Sequence, residues 1–249
     1  MPTVSNGQIN INYDVAGDGL PILFLHGFAA SSKLWAAVSG VFSTSFRCLS
    51  MDIRGHGKSS PGPRHNYSIE ALAEDALMVL DREHANHAIL VGHAMGGMIT
   101  QHIAARHPER IAASVFSSTT CFAPPRYAVE DLMKASISLQ LTSPEQRASN
   151  PTLRHLSPLD KDIALGCCEA ILGLPRYDLE LSLLGSPALA IYGDEDDQYV
   201  IEGSKKLCTS IPDCQESIIL GAGHIPQITH VEAYTEALSD FLQDLDLIH

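Results

Sequence analysis

Residues 92–97, Gly-His-Ala-Met-Gly-Gly, combine residue types and spacing that suit nucleophilic chemistry. They follow the apolar run 88–91 and precede a helical pattern that starts at Met98. This context is typical of a nucleophile elbow, G-x-S-x-G, which holds a central side chain above a sheet between small neighbours. The central residue is Ala94 where that motif has serine, and a methyl group cannot attack a substrate.

The elements that must position this turn alternate along the chain. Short apolar runs predict buried strands, and apolar residues at helical spacing predict helices. Strands are predicted at 9–15, 22–25, 48–51, 88–91, 111–116, 188–192 and 217–220. Helices are predicted after Ser68 as an N-cap, over 98–105 and over 231–245. The alternation predicts a mostly parallel sheet with helices on both faces.

The pattern changes over 122–184, where no strand-like run occurs. Prolines separate short helical stretches at 129–137 and 160–172. A structureless loop of this length would be unusual in a compact domain. We therefore expect a small helical cap at 122–184 over a core formed by 1–121 and 185–249.

Composition excludes several classes of partner. A net charge of −13 argues against nucleic acid and anionic membranes. No apolar run approaches the ~18 residues of a membrane span, and no signal-peptide pattern is visible, which predicts a cytoplasmic protein. The six cysteines form no C-x-x-C pair and the twelve histidines no metal-ligand pattern. The histidine spacing therefore predicts no metal site. Because no dinucleotide fingerprint is present, no cofactor is expected.

Four further segments, together with the elbow, resemble motifs of the α/β-hydrolase superfamily. Residues 25–28, Leu-His-Gly-Phe, resemble its oxyanion loop, and 52–59 resemble its D-x-R-G-x-G-x-S segment. Residues 193–196 resemble its acid-bearing turn, and 221–224 resemble the loop that carries its histidine. The motifs appear in the family's order over nearly the whole chain. The resemblance implies an α/β-hydrolase fold with a small helical cap.

The resemblance also implies roles for individual residues. His224 would be the general base, and Asp196 would orient its imidazole. Residue 94 is the nucleophile position, and the backbone N–H groups of Phe28 and Met95 would form the oxyanion hole. Alternative acids in the same turn are Asp194 and Asp197.

The cap sequence predicts the character of the pocket. Its apolar side chains favour an apolar roof, and three cap arginines are candidates to meet a substrate carboxylate or else are exposed: Arg126, Arg154 and Arg176. The residues expected to contact substrate are His26, Gly27, His93, Trp35, Cys121 and Met133. Structural roles compete at His26 and Trp35. Asp52 and Arg54 are interpreted as a structural loop pair.

Ala94 has two explanations. In the first, alanine replaces a serine nucleophile, so the chain is a disabled hydrolase of a carboxylic ester or lactone, related to small esterases and enol-lactonases. In the second, alanine is natural. His224 and Asp196 would then serve a lyase, cyclase, decarboxylase or C–C hydrolase, or the pocket would only bind a ligand. The expected partner is a small ester or lactone, and the oligomeric state stays open.

Overall fold

The computed structural model describes residues 2–5, 7–150, 153–245 and 247, which contain a single eight-stranded sheet. Its strands are β1 Thr3–Ser5, β2 Asn10–Ala16, β3 Pro21–Leu25, β4 Arg47–Met51, β5 Ala88–His93, β6 Ile111–Ser117, β7 Ala188–Gly193 and β8 Cys214–Ile219. The order across the sheet is β1-β2-β4-β3-β5-β6-β7-β8. Strand β2 pairs antiparallel with both β1 and β4, and the five other pairs are parallel, which confirms the predicted mostly parallel sheet.

The apolar runs form strands because both faces of the sheet are covered. Along β3, Leu23 and Leu25 belong to one core cluster, whereas Ile22 and Phe24 belong to the other. All four side chains are fully buried. A strand covered on both faces has no solvent side to carry polar residues, which explains a continuous apolar run.

Ten α-helices occur in the described part of the chain. They are α1 Ala36–Phe42, α2 Ile69–Arg82, α3 Met95–Arg106, α4 Arg126–Leu141, α5 Pro144–Ser149, α6 Lys161–Leu172, α7 Asp178–Ser182, α8 Gln198–Ser210, α9 Pro226–Thr229 and α10 Val231–Asp244. The predicted N-cap of α2 is present, since the Ala71 amide donates to Ser68 Oγ over 3.1 Å. No helix among the described residues is long and apolar enough to cross a bilayer.

Three of the differences from the predicted elements concern α3, β8 and β1. Helix α3 begins at Met95 and not at Met98, because the turn after β5 leads directly into the helix. Strand β8 begins at Cys214, three residues early, since this edge strand exposes polar side chains that interrupt its apolar run. Strand β1 was not predicted, because three residues are too few to show a period of two.

Helices α4 to α7 occupy the chain between β6 and β7, where the sequence predicts a cap. Helices α4 and α6 pack together. Helix α4 extends beyond the predicted stretch 129–137 at both ends, and α6 begins one residue after the start of the predicted stretch 160–172. Main-chain hydrogen bonds tie this segment to the core, as from the Ser157 amide to Ala29 O over 2.7 Å. The exact division into cap and core stays our interpretation of the chain.

The predicted pairing of Asp52 with Arg54 is wrong. Arg54 forms a buried double hydrogen bond with Asp75 on α2, at 2.6 and 2.8 Å. The Asp52 carboxylate instead accepts the amides of Ser32 and Lys58, at 2.7 and 2.9 Å. Neighbouring residues on one loop point to different partners, so sequence proximity is a poor guide to ion pairing here.

Candidate active site

Ala94 forms the one-residue turn between β5 and α3. Its backbone angles are φ 49° and ψ −112°, a conformation that non-glycine residues adopt only when the surroundings enforce it. The Ala94 amide donates to Ser117 O over 3.0 Å, and its carbonyl accepts the Thr119 hydroxyl over 2.7 Å. The elbow conformation is therefore held from outside, by the end of β6, and does not depend on a serine at residue 94.

Close backbone contacts explain the small residues that flank the elbow. A Cβ added at Gly96 would lie 2.2 Å from the carbonyl oxygen of Leu25, and one at Gly92 would lie 2.3 Å from that of Gly96. Because these neighbours are main-chain atoms, they have no rotamer through which to move away. Strand β3, strand β5 and helix α3 meet here at a spacing that only glycine permits.

His224 and Asp196 form a hydrogen-bonded pair at the carboxyl ends of β8 and β7. His224 Nδ1 lies 2.9 Å from one carboxylate oxygen of Asp196 and 3.1 Å from the other. The Asp196 side chain is 1% exposed, and its Oδ1 also accepts the Asp197 amide over 2.7 Å. The carboxylate fixes the imidazole proton on Nδ1, which leaves Nε2 as the basic nitrogen.

The two other acids of this turn lie in different settings. Asp194 Oδ1 accepts the Gly221 amide over 2.6 Å, so it shapes the loop that carries His224. Asp197 is the N-cap position of α8 and makes no side-chain capping bond there. The turn and the loop are closely packed, since a Cβ at Gly193 would lie 1.9 Å from Ala222 O. Asp196 is the acid that the structure places against the imidazole.

The pKa values of the two neighbouring imidazoles, His224 and His93, are shifted in opposite directions. Burial acts to lower the pKa of His224, but the hydrogen bond and charge of Asp196 outweigh it and raise that pKa above its ordinary value. Burial, with the adjacent His224, lowers the pKa of His93 well below its ordinary value. The ring centroids are 4.9 Å apart. His93 is thus neutral beside a histidine that is built to accept a proton.

Two buried histidines hold the loop after β3. His26 Nε2 accepts the Ile53 amide over 3.0 Å, so its Nδ1 carries the proton and donates to Gly27 O over 2.7 Å. His56 Nε2 accepts the Ala29 amide over 3.2 Å. Burial lowers the pKa of His26 to about 4 and that of His56 to about 3, so both are neutral at pH 7. His26 therefore positions the loop and does not line the cavity.

This loop and the start of α3 present two amides beside residue 94. Within the described part of the chain, neither the Phe28 N–H nor the Met95 N–H donates a hydrogen bond to protein. A Cβ at Gly27 would lie 3.2 Å from the Ala94 Cβ, which places the loop in contact with the elbow. The Met95 amide also lies at the positive end of the α3 dipole. Such amides can hold a developing oxyanion.

A cavity of about 160 Å³ opens over the elbow. Its floor contains Ala94, His93 and His224, and its apolar walls include Leu132 and Ile171 of the cap helices. The remaining lining residues are Gly27, Phe28, Ala30, Leu34, Met95, Met98, Ser118, Thr119, Thr120, Pro124, His155, Leu156, Tyr199, Val200 and Ile225. No Lys, Arg, Asp or Glu lines the cavity among the described residues.

Trp35 requires a correction. It was expected to contact substrate, but its side chain is fully buried on the other face of the sheet. Its ring packs against Phe24 and Tyr234, with centroids 5.2 and 6.2 Å away. Leu34, its neighbour on the same helical turn, lines the cavity instead. One residue of register on a 3₁₀ turn decides which side chain faces the site.

Cys121 and Met133 also lie outside the cavity wall. The Cys121 thiol contacts Gly203 O over 3.7 Å, and burial raises its pKa, which makes it a poor nucleophile at neutral pH. Met133 packs against the main core cluster, while its neighbour Leu132 lines the cavity. Both expected substrate contacts are therefore replaced by adjacent residues.

The cap arginines do not reach the cavity. Arg176 forms an exposed ion pair with Asp178 over 2.8 Å, and Arg126 is exposed. Arg154 lines a different cavity. The expectation that one of them meets a substrate carboxylate inside the pocket is not supported by their positions.

Three consecutive hydroxyl residues at the end of β6 were missed. Ser118, Thr119 and Thr120 line the cavity, and Ser118 also has a positive φ of 43°. A signal was present, because ligands of parallel sheets bind at the carboxyl ends of the strands. The polar run that ends the apolar β6 run marks this edge. Among the described residues, no three His, Cys, Asp or Glu side chains are grouped to hold a metal ion.

Comparison with known proteins identifies the architecture. Residues 21–155, more than half of the chain, match the family model of the alpha/beta hydrolase fold. The chain belongs to the α/β-hydrolase fold family. The predicted fold class is thereby confirmed, with its eight-stranded, mostly parallel sheet between helices.

Relatives that match this chain cover nearly its whole length. The 2-hydroxymuconate semialdehyde hydrolase of Pseudomonas putida is 26% identical over 255 residues, which span 94% of this chain and 90% of the relative. The pimeloyl-(acyl-carrier protein) methyl ester esterase of Aeromonas hydrophila is 25% identical over 257 residues, which span 94% and 100%. An enol-lactonase structure from Burkholderia xenovorans LB400 has a TM-score of 0.83 at 23% identity, covers 97% and 100%, and shows the shared fold.

Proposed function

We propose that this is the site of a serine-type hydrolase of carboxylic esters or lactones, in a form that Ala94 disables. One arrangement of residues supports the proposal. The Asp196–His224 pair stands beside an elbow that keeps its strained conformation, and the amides of Phe28 and Met95 are left without protein acceptors. This arrangement supports an acyl-transfer site that lacks only the attacking oxygen.

The chemistry follows from these positions when residue 94 is serine. Its hydroxyl oxygen attacks the substrate carbonyl carbon while His224 Nε2 takes the proton. The Phe28 and Met95 amides stabilise the oxyanion, and His224 returns the proton to the departing alcohol oxygen. Water, deprotonated by the same nitrogen, then releases the acyl group as an acid. The side chain of Ala94 has no oxygen, so the chain binds substrate without forming the acyl-enzyme.

The cavity favours an uncharged acyl group. A carboxylate would be buried there without a cation, since no Lys or Arg lines the walls in the described chain. We therefore infer esters or lactones with a neutral acyl group as substrates.

Similarity to an esterase and an enol-lactonase supports the ester or lactone class without choosing between them. A test compares the unaltered chain with Ala94→Ser on neutral aryl esters, lactones and a matched ester that bears an acyl carboxylate. We expect turnover by Ala94→Ser alone, with kcat/KM at least tenfold lower for the charged acyl group. Equal kcat/KM for charged and neutral acyl groups would contradict the substrate inference, and a folded but inactive variant would contradict the serine-type mechanism.

A second function is favoured by the intact Asp196–His224 pair. His224 can act as a base on water or on the substrate itself, as in a lyase, a cyclase, a decarboxylase or a C–C hydrolase. Product analysis separates these reactions, because a hydrolase transfers solvent oxygen to an acid product and a lyase does not. Turnover by the unaltered chain that disappears in His224→Ala would establish this second function. Ligand affinity without turnover, both in the unaltered chain and in Ala94→Ser, would indicate a binding protein.

A further inference from the structure

A second cavity, of about 410 Å³, lies between the cap segment 153–158 and the core loops at 31–33 and 52–58. It shares Leu156 with the catalytic cavity. Four cationic side chains line it: Lys33, Lys58, Arg147 and Arg154. We call it the cationic groove. In contrast, no cation lines the catalytic cavity within the described residues.

The groove is rich in cations although the protein as a whole is strongly acidic. The chain has 16 Lys and Arg against 29 Asp and Glu, so a quarter of its cations line one groove in a strongly acidic protein. Elsewhere arginines pair with carboxylates, as Arg110 does with Asp81 over 2.7 Å. Lys33, Arg147 and Arg154 form no ion pair with any residue that the structure describes. Their mutual repulsion is reduced when an anion lies between them.

Acidic residues of the groove do not neutralise these cations. Asp52 is buried, and its two carboxylate oxygens accept the amides of Ser32 and Lys58, so this charge is already held by the main chain. Asp14 is exposed on β2. Besides Lys58, the described lining thus has three cations, Lys33, Arg147 and Arg154, against one acid, Asp14, that main-chain amides do not engage.

Hydrogen bonds between the cap and the core hold the two walls of the groove together. Ser31 Oγ donates to His155 O over 2.9 Å, and the Gly57 amide donates to Ser157 Oγ over 2.9 Å. Arg147 is oriented by donating to the main-chain oxygens of Leu139 and Thr142 at the end of α4. The walls are therefore fixed relative to each other, which reduces the entropy lost when a ligand binds.

We propose that the cationic groove binds a multiply charged, phosphate-bearing small molecule. Guanidinium groups present paired N–H donors that fit phosphate oxygens, and lysine adds point charges that tolerate several ligand orientations. A groove of this volume suits a ligand with more than one negative charge, because Lys33, Arg147 and Arg154 form no ion pair within the described residues. Because Leu156 lines both cavities, a ligand in the groove contacts a segment that also lines the catalytic cavity.

The test uses the unaltered chain and inorganic pyrophosphate at constant ionic strength, measured by isothermal titration calorimetry. We expect one saturable site per chain. Lys33→Glu/Arg154→Glu should weaken binding at least tenfold, since each change removes a charged donor and adds repulsion. Lys205→Glu/Lys206→Glu changes the net charge equally on the exposed side of α8 and should leave the affinity unchanged.

Three results would overturn the proposal. They are no saturable binding, more than one equivalent site per chain, or equal weakening in the two double variants, which indicates nonspecific attraction. Both pairs of positions are exposed, so thermal unfolding of each variant shows that the fold is intact. Binding of pyrophosphate does not require a nucleophile at residue 94, so this proposal fails or stands separately from the proposed hydrolysis.

Discussion

The elbow and the acid–base pair lie against the same cavity but differ in what they retain. The Asp196–His224 pair keeps both side chains, at 2.9 Å, and the raised pKa that their contact produces. The elbow has no reactive side-chain atom at residue 94, yet Ala94 has φ 49° and contacts Ser117 and Thr119. A side-chain hydrogen bond holds the Asp196–His224 pair, whereas contacts of the main chain hold the elbow. The geometry of the elbow therefore does not require a nucleophile at residue 94.

The largest effect is expected when the base of the Asp196–His224 pair is removed. In the Ala94→Ser background, His224→Ala should reduce kcat on a neutral aryl ester on the order of 10⁶-fold, because no other base is placed to accept the serine proton. The matched control is His107→Ala, at a histidine on the protein surface whose side chain is 42% exposed. A loss of less than tenfold in His224→Ala would show that another group is the base.

A smaller effect is expected at the acid. Asp196→Asn in the same background should lower kcat about 10⁴-fold, because the amide no longer holds the imidazole proton on Nδ1. Asp196 raises the pKa of His224, and the base must be neutral, so activity falls as pH drops through that pKa. Removing the charge should move this acid limb to lower pH. A pH–rate profile measures the shift, and an unchanged limb would mean that His224 does not govern it.

The main-chain side of the comparison is tested at Gly96. Gly96→Ala forces a methyl group to within 2.2 Å of Leu25 O, so we expect the free energy of unfolding to fall by roughly 3 kcal/mol. Gly40→Ala on α1 is the control, since a Cβ there meets nothing within 4 Å and should stabilise by about 0.5–1 kcal/mol. Urea unfolding compares them, and equal changes would refute the close packing of β3 against α3.

The smallest effect measures the strain at the elbow. Ala94→Gly should raise the free energy of unfolding by about 1 kcal/mol, because glycine relieves a strain of roughly 1–3 kcal/mol and loses up to 1 kcal/mol to greater freedom when unfolded. The same change at exposed Ala135 on α4 should lower it by about 1 kcal/mol. Opposite signs support an elbow held by its surroundings. Destabilisation in both variants would show that Ala94 is unstrained.

These regions also show how far sequence reasoning reaches. The apolar runs predict the strands because both sheet faces are buried, and the glycines at 92 and 96 predict a close turn because main chains meet there. Trp35 was misplaced because the face of a single 3₁₀ turn depends on packing between α1 and α10 that no local pattern encodes. Of the cap arginines, Arg126 and Arg176 take the exposed alternative, whereas Arg154 lines the second cavity. The sequence around Arg154 does not determine which of two neighbouring cavities its side chain faces.

The central claim is that Ala94 alone separates this chain from a working acyl-transfer site. The most direct measurement is the intact mass of the unaltered chain and of Ala94→Ser after reaction with a fluorophosphonate, followed by peptide mapping. Our account predicts one adduct in Ala94→Ser, on the serine introduced at position 94, and none on the unaltered chain, whose cavity already contains Ser118. Labelling of Ser118, or a folded variant that forms no adduct, would contradict it.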